Sequence, residues 1–479
     1  MTPIRFGTDG WRAVIAQDFT FANLERVAQA YADYIQREQA KAHAAGPNNL
    51  TSSLVVVGYD RRFLSERFAE RAAGVLAGNG LRIALFDEPV PTPLISWAVR
   101  EAGAAGGVVI TASHNPYEFN GFKIKAPWGG SASPETTSAV ESLVDASPPQ
   151  HQGINPDEER EAMRAAHLSY RSQIASYIDL ERVRRTEARI IIDPMHGSGG
   201  RWVESFLQGG LINVETIRAE RDPLFGGVHP EPIDRNLGRL KERVREARAS
   251  IGLATDGDAD RLGAVNERGE TMTMHEVVPL LLLHLARRRG MRGGVVRTFS
   301  QSVLTKRIAA AHNLPLYDTP IGFKYIAELM LKEDILLGAE ESGGIGVRGH
   351  LPERDGILNC LLLLEAVITA GKPPSEMVLD MHREFGEFHF GRRDTHVEVA
   401  KGSEFVLSLA SDPPLSVAGH KVRGVETLDG AKLLFEDESW LMFRQSGTEP
   451  VLRVYAEATS AGKTNALLDA GERLAGSKP

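Results

Sequence analysis

Apolar and polar positions along this chain fall into a block that occurs three times. "LVVVGYDRRFLSERFAERAAGVLAGNGLRIALFD" from residue 54, "RIIIDPMHGSGGRWVESFLQGGLINVETIRAE" from 189 and "GVVRTFSQSVLTKRIAAAHNLPLYDTP" from 294 share one order: apolar strand, polar or glycine-rich loop, amphipathic helix, second strand. That is the sequence form of a βαβ unit, because parallel strands need a helical crossover. The last hundred residues read differently. "THVEVA", "HKVRGVETLDGAKLLFE", "SWLMFRQSG" and "VLRVYAEA" alternate apolar and polar residues, with a turn at Leu428-Asp429-Gly430, and "KTNALLDAGERLAG" closes as a helix. The pattern predicts an α/β protein of three similar α/β domains followed by a smaller α+β domain with an antiparallel sheet. Proline and polar residues place linkers near 145–159 and 386–394. The expected domains are 1–155, 156–268, 269–384 and 385–479.

The chain has 479 residues, long enough for several cores. Its 55 basic and 63 acidic side chains leave a net charge of -8, which gives no electrostatic case for nucleic acid or an anionic membrane surface. Any anion must be gripped locally. The single cysteine, Cys360, has no intrachain partner and fits a reducing compartment, with helix packing as its role. "VVPLLLLHLA" and the stretch around Cys360 are too short to span a bilayer, and "MTPIRFGTDGWR" lacks the apolar core of a signal peptide. The expectation is a soluble cytoplasmic protein, monomer or dimer.

Four loops carry chemistry. In "IGLATDGDADRLGAVNERG" an apolar strand ends in Asp256, Asp258 and Asp260, then Arg261. Three carboxylates so close repel one another, and an all-oxygen donor set suits a hard cation such as Mg²⁺. An acidic surface turn or a calcium loop is the alternative, but Glu267 falls inside a β-like segment and the flanks read as strands rather than helices. In "GAEESGGIGVRGHLPERDGI", Glu340 and Ser342 can exchange hydrogen bonds with the hydroxyls of a polyol; a solvated glycine-rich loop looks the same. In "FRQSGTEPVLRVYAE", Arg444, Ser446, Gly447 and Thr448, with Arg453 nearby, offer guanidinium forks, hydroxyls and exposed backbone N–H groups to a phosphate, unless the segment is a plain turn. In "VVITASHNPYEFNGFKIK", Ser113, His114 and Lys123 follow a buried strand. A serine there commonly only turns the chain. Beside a carboxylate metal site it can carry a phosphoryl group, with Lys123 and His114 for proton transfer and charge neutralisation.

Together these loops resemble those of the α-D-phosphohexomutase superfamily: "TASHNP" its phosphoserine loop, "DGDADR" its magnesium loop, "EESGG" its sugar loop and "RQSGTEP" its phosphate loop, in the family's order, with "FGTDGWR" also matching. The resemblance covers essentially the whole chain. It implies a four-domain, heart-shaped enzyme, its α/β domains built on mixed sheets, with one loop per domain reaching a single cleft. Ser113 would be phosphorylated, and would hold Mg²⁺ together with Asp256, Asp258 and Asp260. Lys123 and His114 would be the acid and base, and Glu340 and Ser342 would contact sugar hydroxyls. Arg444, Ser446, Gly447, Thr448 and Arg453 would hold the unreacting phosphate, Arg12 and Arg261 would lie near the reacting one, and Lys324 and Arg354 would add substrate contacts. The implied reaction interconverts a hexose 1-phosphate and 6-phosphate, with glucose 1,6-bisphosphate as intermediate and activator. Gly344, where phosphomannomutases and dual-specificity enzymes commonly carry histidine, and Glu341, where phosphoglucosamine mutases usually carry glutamine, favour glucose over mannose or glucosamine phosphates. A phosphatase forming phosphoserine and a non-catalytic sugar-phosphate sensor are the rival readings; the intact set of Ser113, three aspartates and Arg444 argues against the sensor.

Overall fold

The computed structural model describes residues 3–7, 10–44, 52–155, 159–447 and 450–476. The chain divides into two compact units, one comprising the chain as far as Met272 together with Gly343–Pro374, the other Thr273–Ser342 together with Ser375–Pro479.

In the first unit, β1 (Gly10–Val14), β2 (Leu54–Tyr59), β3 (Arg82–Leu85), β4 (Gly106–Ile110) and β5 (Phe119–Lys125) form a sheet in the order β1-β5-β4-β2-β3. β2 runs parallel to β3 and β4, whereas β5 is antiparallel to both β4 and β1. β2 and β4 are buried along their whole length, as central strands covered on both faces must be. Helices Phe21–Ala44 and Ser65–Gly78 bury Val27, Tyr31, Phe68 and Leu76 in this core.

A second sheet repeats the design. β6 (Arg189–Asp193), β7 (Asn213–Thr216), β8 (Ile251–Thr255), β9 (Leu262–Asn266) and β10 (Thr271–Met272) take the order β10-β9-β8-β6-β7, with β6 parallel to β7 and β8 and β9 antiparallel to β8. The "TASHNP" loop joins β4 to β5 and the "DGDADR" loop joins β8 to β9, so the two occupy equivalent places in two like topologies.

The segment Gly343–Pro374 folds with this unit because its helix, Gly356–Ala370, is apolar on all sides and packs on β8 and β9. Asp355 caps it, accepting from Leu358 N at 3.0 Å with one oxygen, while the other meets Tyr170 Oη at 2.8 Å and His350 Nε2 at 2.9 Å. Cys360 lies within the helix, buried, and burial pushes its thiol up.

In the second unit, β11 (Gly294–Thr298) lies parallel to both β12 (Leu316–Thr319) and β13 (Ile335–Ala339). With β14 (Ile345–Val347) counted in the first unit, the rest is an antiparallel sheet, β15-β20-β19-β18-β17-β16, built from β15 (His389–His396), β16 (Ser416–Val417), β17 (His420–Glu426), β18 (Ala431–Phe435), β19 (Trp440–Gln445) and β20 (Val451–Ala458). Helices Val399–Ser411 and Ala461–Gly476 bury Phe405, Leu467 and Leu468 against it.

Two expectations are corrected here. Residues 386–394 are not a linker: from His389 they form β15, paired with β20 through His396. As an edge strand it carries charges, Arg392, Arg393 and Asp394, whose polarity mimics a linker. Nor is "THVEVA" one strand, since the strand ends at His396 and a helix starts at Val399. Among the described residues no single helix is long and apolar enough to cross a membrane.

Glu457 on β20 ties the two parts of this unit together. Fully buried, it accepts from Ser302 Oγ at 2.5 Å, Val303 N at 2.8 Å and Trp440 Nε1 at 3.0 Å, so its charge sits at the N-terminus of helix Val303–Ala311. Glu457→Ala strands three donors and should cost about 3 kcal/mol or more, seen as a lowered denaturation midpoint with divalent-metal binding unchanged.

Candidate active site

The Ser113 turn is built by a residue 51 positions upstream. Arg62, fully buried and ion-paired with Asp60 at 3.2 Å, donates to the carbonyls of Ser113 (2.6 Å), Asn115 (2.7 Å), Pro116 (2.8 Å) and Phe119 (3.0 Å). Asp60 also accepts from Thr111 Oγ1 at 2.6 Å, and Thr111 Oγ1 accepts from Ser113 N at 2.8 Å. This grip holds Ser113 in the left-handed region at φ 52°, which a serine adopts only under constraint. Its hydroxyl then points at Asp256 Oδ2, 3.0 Å away, with His114 Nδ1 at 3.4 Å. Burial, then the charges of Arg261 and Arg12, push the His114 ring well below the usual histidine range. It is neutral near pH 7 and able to accept a proton. Arg12, on β1, reaches the same turn through Asn115 Oδ1 at 2.9 Å.

Asp256, Asp258 and Asp260 are all buried, and each offers a carboxylate oxygen within 4.8 Å of the others. Burial and the two neighbouring carboxylates raise Asp256 well above the ordinary range. Burial would raise Asp260 too, but Arg354, Lys123 and Arg261 together hold it low. Lys123 Nζ lies 3.1 Å from Asp260 Oδ2 and 3.6 Å from Asp258 Oδ2, and Arg354 Nη2 lies 2.9 Å from Asp260 Oδ2. Oδ1 of Asp258 and Oδ1 of Asp260 are buried without a hydrogen-bond partner. Two orphaned anionic oxygens in a set of three carboxylates are what a small hard cation requires, so these residues fit Mg²⁺. The flanks are strands, unlike those of an EF-hand, and Glu267 lies in the turn just after β9 rather than inside the strand.

The loop is gripped from several sides. Thr92 donates its N to Asp258 O at 2.9 Å and its Oγ1 to Asp258 Oδ2 at 2.8 Å; Ser198 N reaches Gly257 O at 2.9 Å, and Gly356 N reaches Ala259 O at 3.1 Å. Gly257 has no substitute, because a Cβ there would stand 2.4 Å from the carbonyl of Ser113. Beneath Lys123, Lys125 and Glu353 form a fully buried pair at 2.9 Å, and Ser131 also donates to Glu353.

The first unit thus gathers Arg12, Ser113, His114, Lys123, Asp256, Asp258, Asp260, Arg261 and Arg354. Arg261 is buried, with Glu231 3.6 Å away. The remaining predicted residues lie in the second unit. Glu340 is buried and Ser342 half-buried after β13, where Glu341 accepts from Thr298 Oγ1 at 3.1 Å. Lys324 sits over the Tyr325 ring. Arg444 on β19 stands opposite Arg453 on β20, and Arg453 in turn stands opposite Asp394 on β15. Asp429 takes Arg444 Nε at 2.9 Å and Ile321 N at 2.8 Å. Ser446 is buried and Gly447 exposed; Thr448 lies outside the described residues.

Comparison with known proteins identifies the family. Residues 3–151, 168–269 and 274–385 match phosphoglucomutase/phosphomannomutase alpha/beta/alpha domains I, II and III, and 397–472 match the family's C-terminal domain. The chain belongs to the phosphoglucomutase/phosphomannomutase family, within the α-D-phosphohexomutase superfamily. It is therefore an enzyme of intramolecular phosphate transfer. Among relatives of this phosphohexomutase, a phosphoglucomutase/phosphomannomutase of Thermococcus kodakarensis is 29% identical, covering 98% of each chain. A phosphoglucosamine mutase of Novosphingobium aromaticivorans is 30% identical over 97% of each. The crystal structure of a Thermus thermophilus protein, named provisionally as a phosphomannomutase, is 38% identical with a TM-score of 0.85 and covers 99% of both chains.

Arg62, Lys125, Glu353 and Thr92 are absent from the sequence-level candidates. Only the Asp60-Arg61-Arg62 run directly after an all-apolar strand could have flagged one of them. Arg62→Lys cannot reach four carbonyls with one ammonium. It should destabilise by about 3 kcal/mol, as breaking a buried pair does, and slow phosphate incorporation at Ser113, read by calorimetry and intact mass.

Proposed function

We propose that the enzyme is a phosphoglucomutase, interconverting glucose 1-phosphate and glucose 6-phosphate through phosphorylated Ser113 and glucose 1,6-bisphosphate. The observation that carries the reading is the constrained Ser113 hydroxyl, 3.0 Å from Asp256 in a buried three-carboxylate cluster with Lys123 alongside. Asp256, Asp258 and Asp260 would hold Mg²⁺ with the serine phosphate, and the ion would supply neutralisation of the charge on the transferring group. The chain's own groups do the rest. Ser113 gives its phosphoryl group to a hydroxyl of the hexose monophosphate; that hydroxyl's proton passes to the neutral His114 ring, while the Lys123 ammonium balances charge beside it. Arg12, Arg261 and Arg354 balance charge at the reacting phosphate. The bisphosphate turns over, and its other phosphate returns to Ser113 as the proton goes back. Glu340 and Ser342 would bind sugar hydroxyls, Lys324 would add a substrate contact, and Arg444, Ser446, Gly447, Thr448 and Arg453 would hold the phosphate at rest.

Glucose is favoured by Glu341 and Gly344 in the sugar loop. The relatives named for glucosamine and mannose phosphates support the same chemistry on another hexose. A coupled assay with Mg²⁺ and a trace of glucose 1,6-bisphosphate, offering glucose 1-phosphate, mannose 1-phosphate and glucosamine 1-phosphate in parallel, should show glucose 1-phosphate converted fastest. Preference for another hexose replaces the substrate, and phosphate release without isomerisation replaces the mutase. Ser113→Ala should abolish turnover with the melting temperature unchanged, because it removes the carrier and little else. Arg444→Ala should raise KM about 10- to 100-fold, the loss of one charge-assisted bond, while metal affinity stays as it is; the reverse ranking in titrations of both ligands moves the phosphate site elsewhere.

A further inference from the structure

We infer that Thr92 is a positioning residue for the divalent cation, acting through Asp258; the inference rests on the metal reading above. Asp258 has two carboxylate oxygens with different fates. Oδ2 accepts Thr92 Oγ1 at 2.8 Å and lies 3.6 Å from Lys123 Nζ, while Oδ1 is buried with no hydrogen-bond partner. The neutral hydroxyl therefore fixes which oxygen is left for the ion.

Thr92 is itself held without freedom. It opens the helix Thr92–Glu101 between Pro91 and Pro93, it is fully buried, and its N–H, one of the donors a helix start leaves unsatisfied, is used on Asp258 O at 2.9 Å. Main chain and side chain of one threonine thus clamp main chain and side chain of one ligand, across 166 residues of sequence. Without Oγ1, Asp258 Oδ2 loses its neutral donor. The Lys123 ammonium, 3.6 Å from Oδ2, then draws the carboxylate into an ion pair, and Oδ1 leaves its place beside Asp256 and Asp260. Partners behind a ligand set metal affinity in this way, and their removal typically costs about 10- to 100-fold.

The test is calorimetric titration of the full-length protein with Mn²⁺ and with Mg²⁺. Thr92→Val keeps the shape and the backbone bond, and it should weaken cation binding about 10- to 100-fold. Thr92→Ser should restore wild-type binding, and KM for the sugar phosphate at saturating metal should not move. Thr92→Ala, which cannot overpack, must show the same loss if the valine variant fails to fold. Wild-type affinity in Thr92→Val or Thr92→Ala overturns the inference alone. Equal binding by wild type and Asp258→Asn overturns instead the metal reading on which it stands.

Discussion

Three buried carboxylates within five residues are the constraint around which the first unit is organised. Two unit charges about 4 Å apart repel by roughly 4 kcal/mol even at an effective dielectric near 20, and burial adds a desolvation penalty to each. The fold meets this with cations brought from separate elements: Lys123 from β5, Arg354 from the segment after β14, and Arg261 from the loop itself. Lys125 and Glu353 extend the alternation of charge one layer deeper. That accounting gives a reason for Gly343–Pro374 to fold with the first unit. Its apolar helix supplies the burial, and the Glu353-Arg354-Asp355 run ahead of it supplies a counter-charge, a cation for Asp260 and a helix cap.

The same topology serves two chemistries. In each sheet the loop between a parallel strand and its antiparallel neighbour carries the candidate groups; in the first it presents a hydroxyl, in the second carboxylates. Bringing them to 3.0 Å needs close backbone approach at Gly257 and a left-handed serine, both unfavourable unless overdetermined. Arg62 does this for the serine with four carbonyl bonds, so the fold itself holds the Ser113 hydroxyl in place, as the proposed transfer would require.

What could be read from the sequence divides along the same line. Ser113 and the three aspartates, which the fold brings together, stood out as candidates because they are concentrated in two short runs, and the βαβ blocks because their apolar runs have the period and length of buried strands. β15 was not, since an edge strand carries the charges that normally mark a linker. Thr92, Arg62 and Glu353 were not, because each acts on a partner far away in sequence: 166, 51 and 228 residues separate the atoms that meet. A buried threonine in "VPTPL" has no local signature distinguishing it from any other helix start. The identity of the sugar was not legible, and relatives matching nearly the whole chain bear different sugar names.

The two kinds of phosphate site differ in how they balance charge, and the proposed reaction needs that difference. Around Ser113, anions and cations alternate, so a phosphoryl group in transit would exchange one set of counter-charges for another. Arg444 and Arg453 are register neighbours on β19 and β20, with Asp429 accepting from Arg444 Nε and Asp394 on β15 opposite Arg453; as a phosphate site this pair would offer guanidinium groups already oriented by carboxylates. Such a site favours holding over transfer. In the proposed reaction a 1,6-bisphosphate would offer either of its phosphates for binding, so recognition there would rest on the charge and shape of the phosphate, which both ends share. On the proposed reading, discrimination between hexoses would be left to hydroxyl contacts of Glu340 and Ser342, a smaller set of bonds. Hydroxyl stereochemistry read by so few groups changes with one or two substitutions, while the serine and the carboxylates that perform the transfer stay as they are.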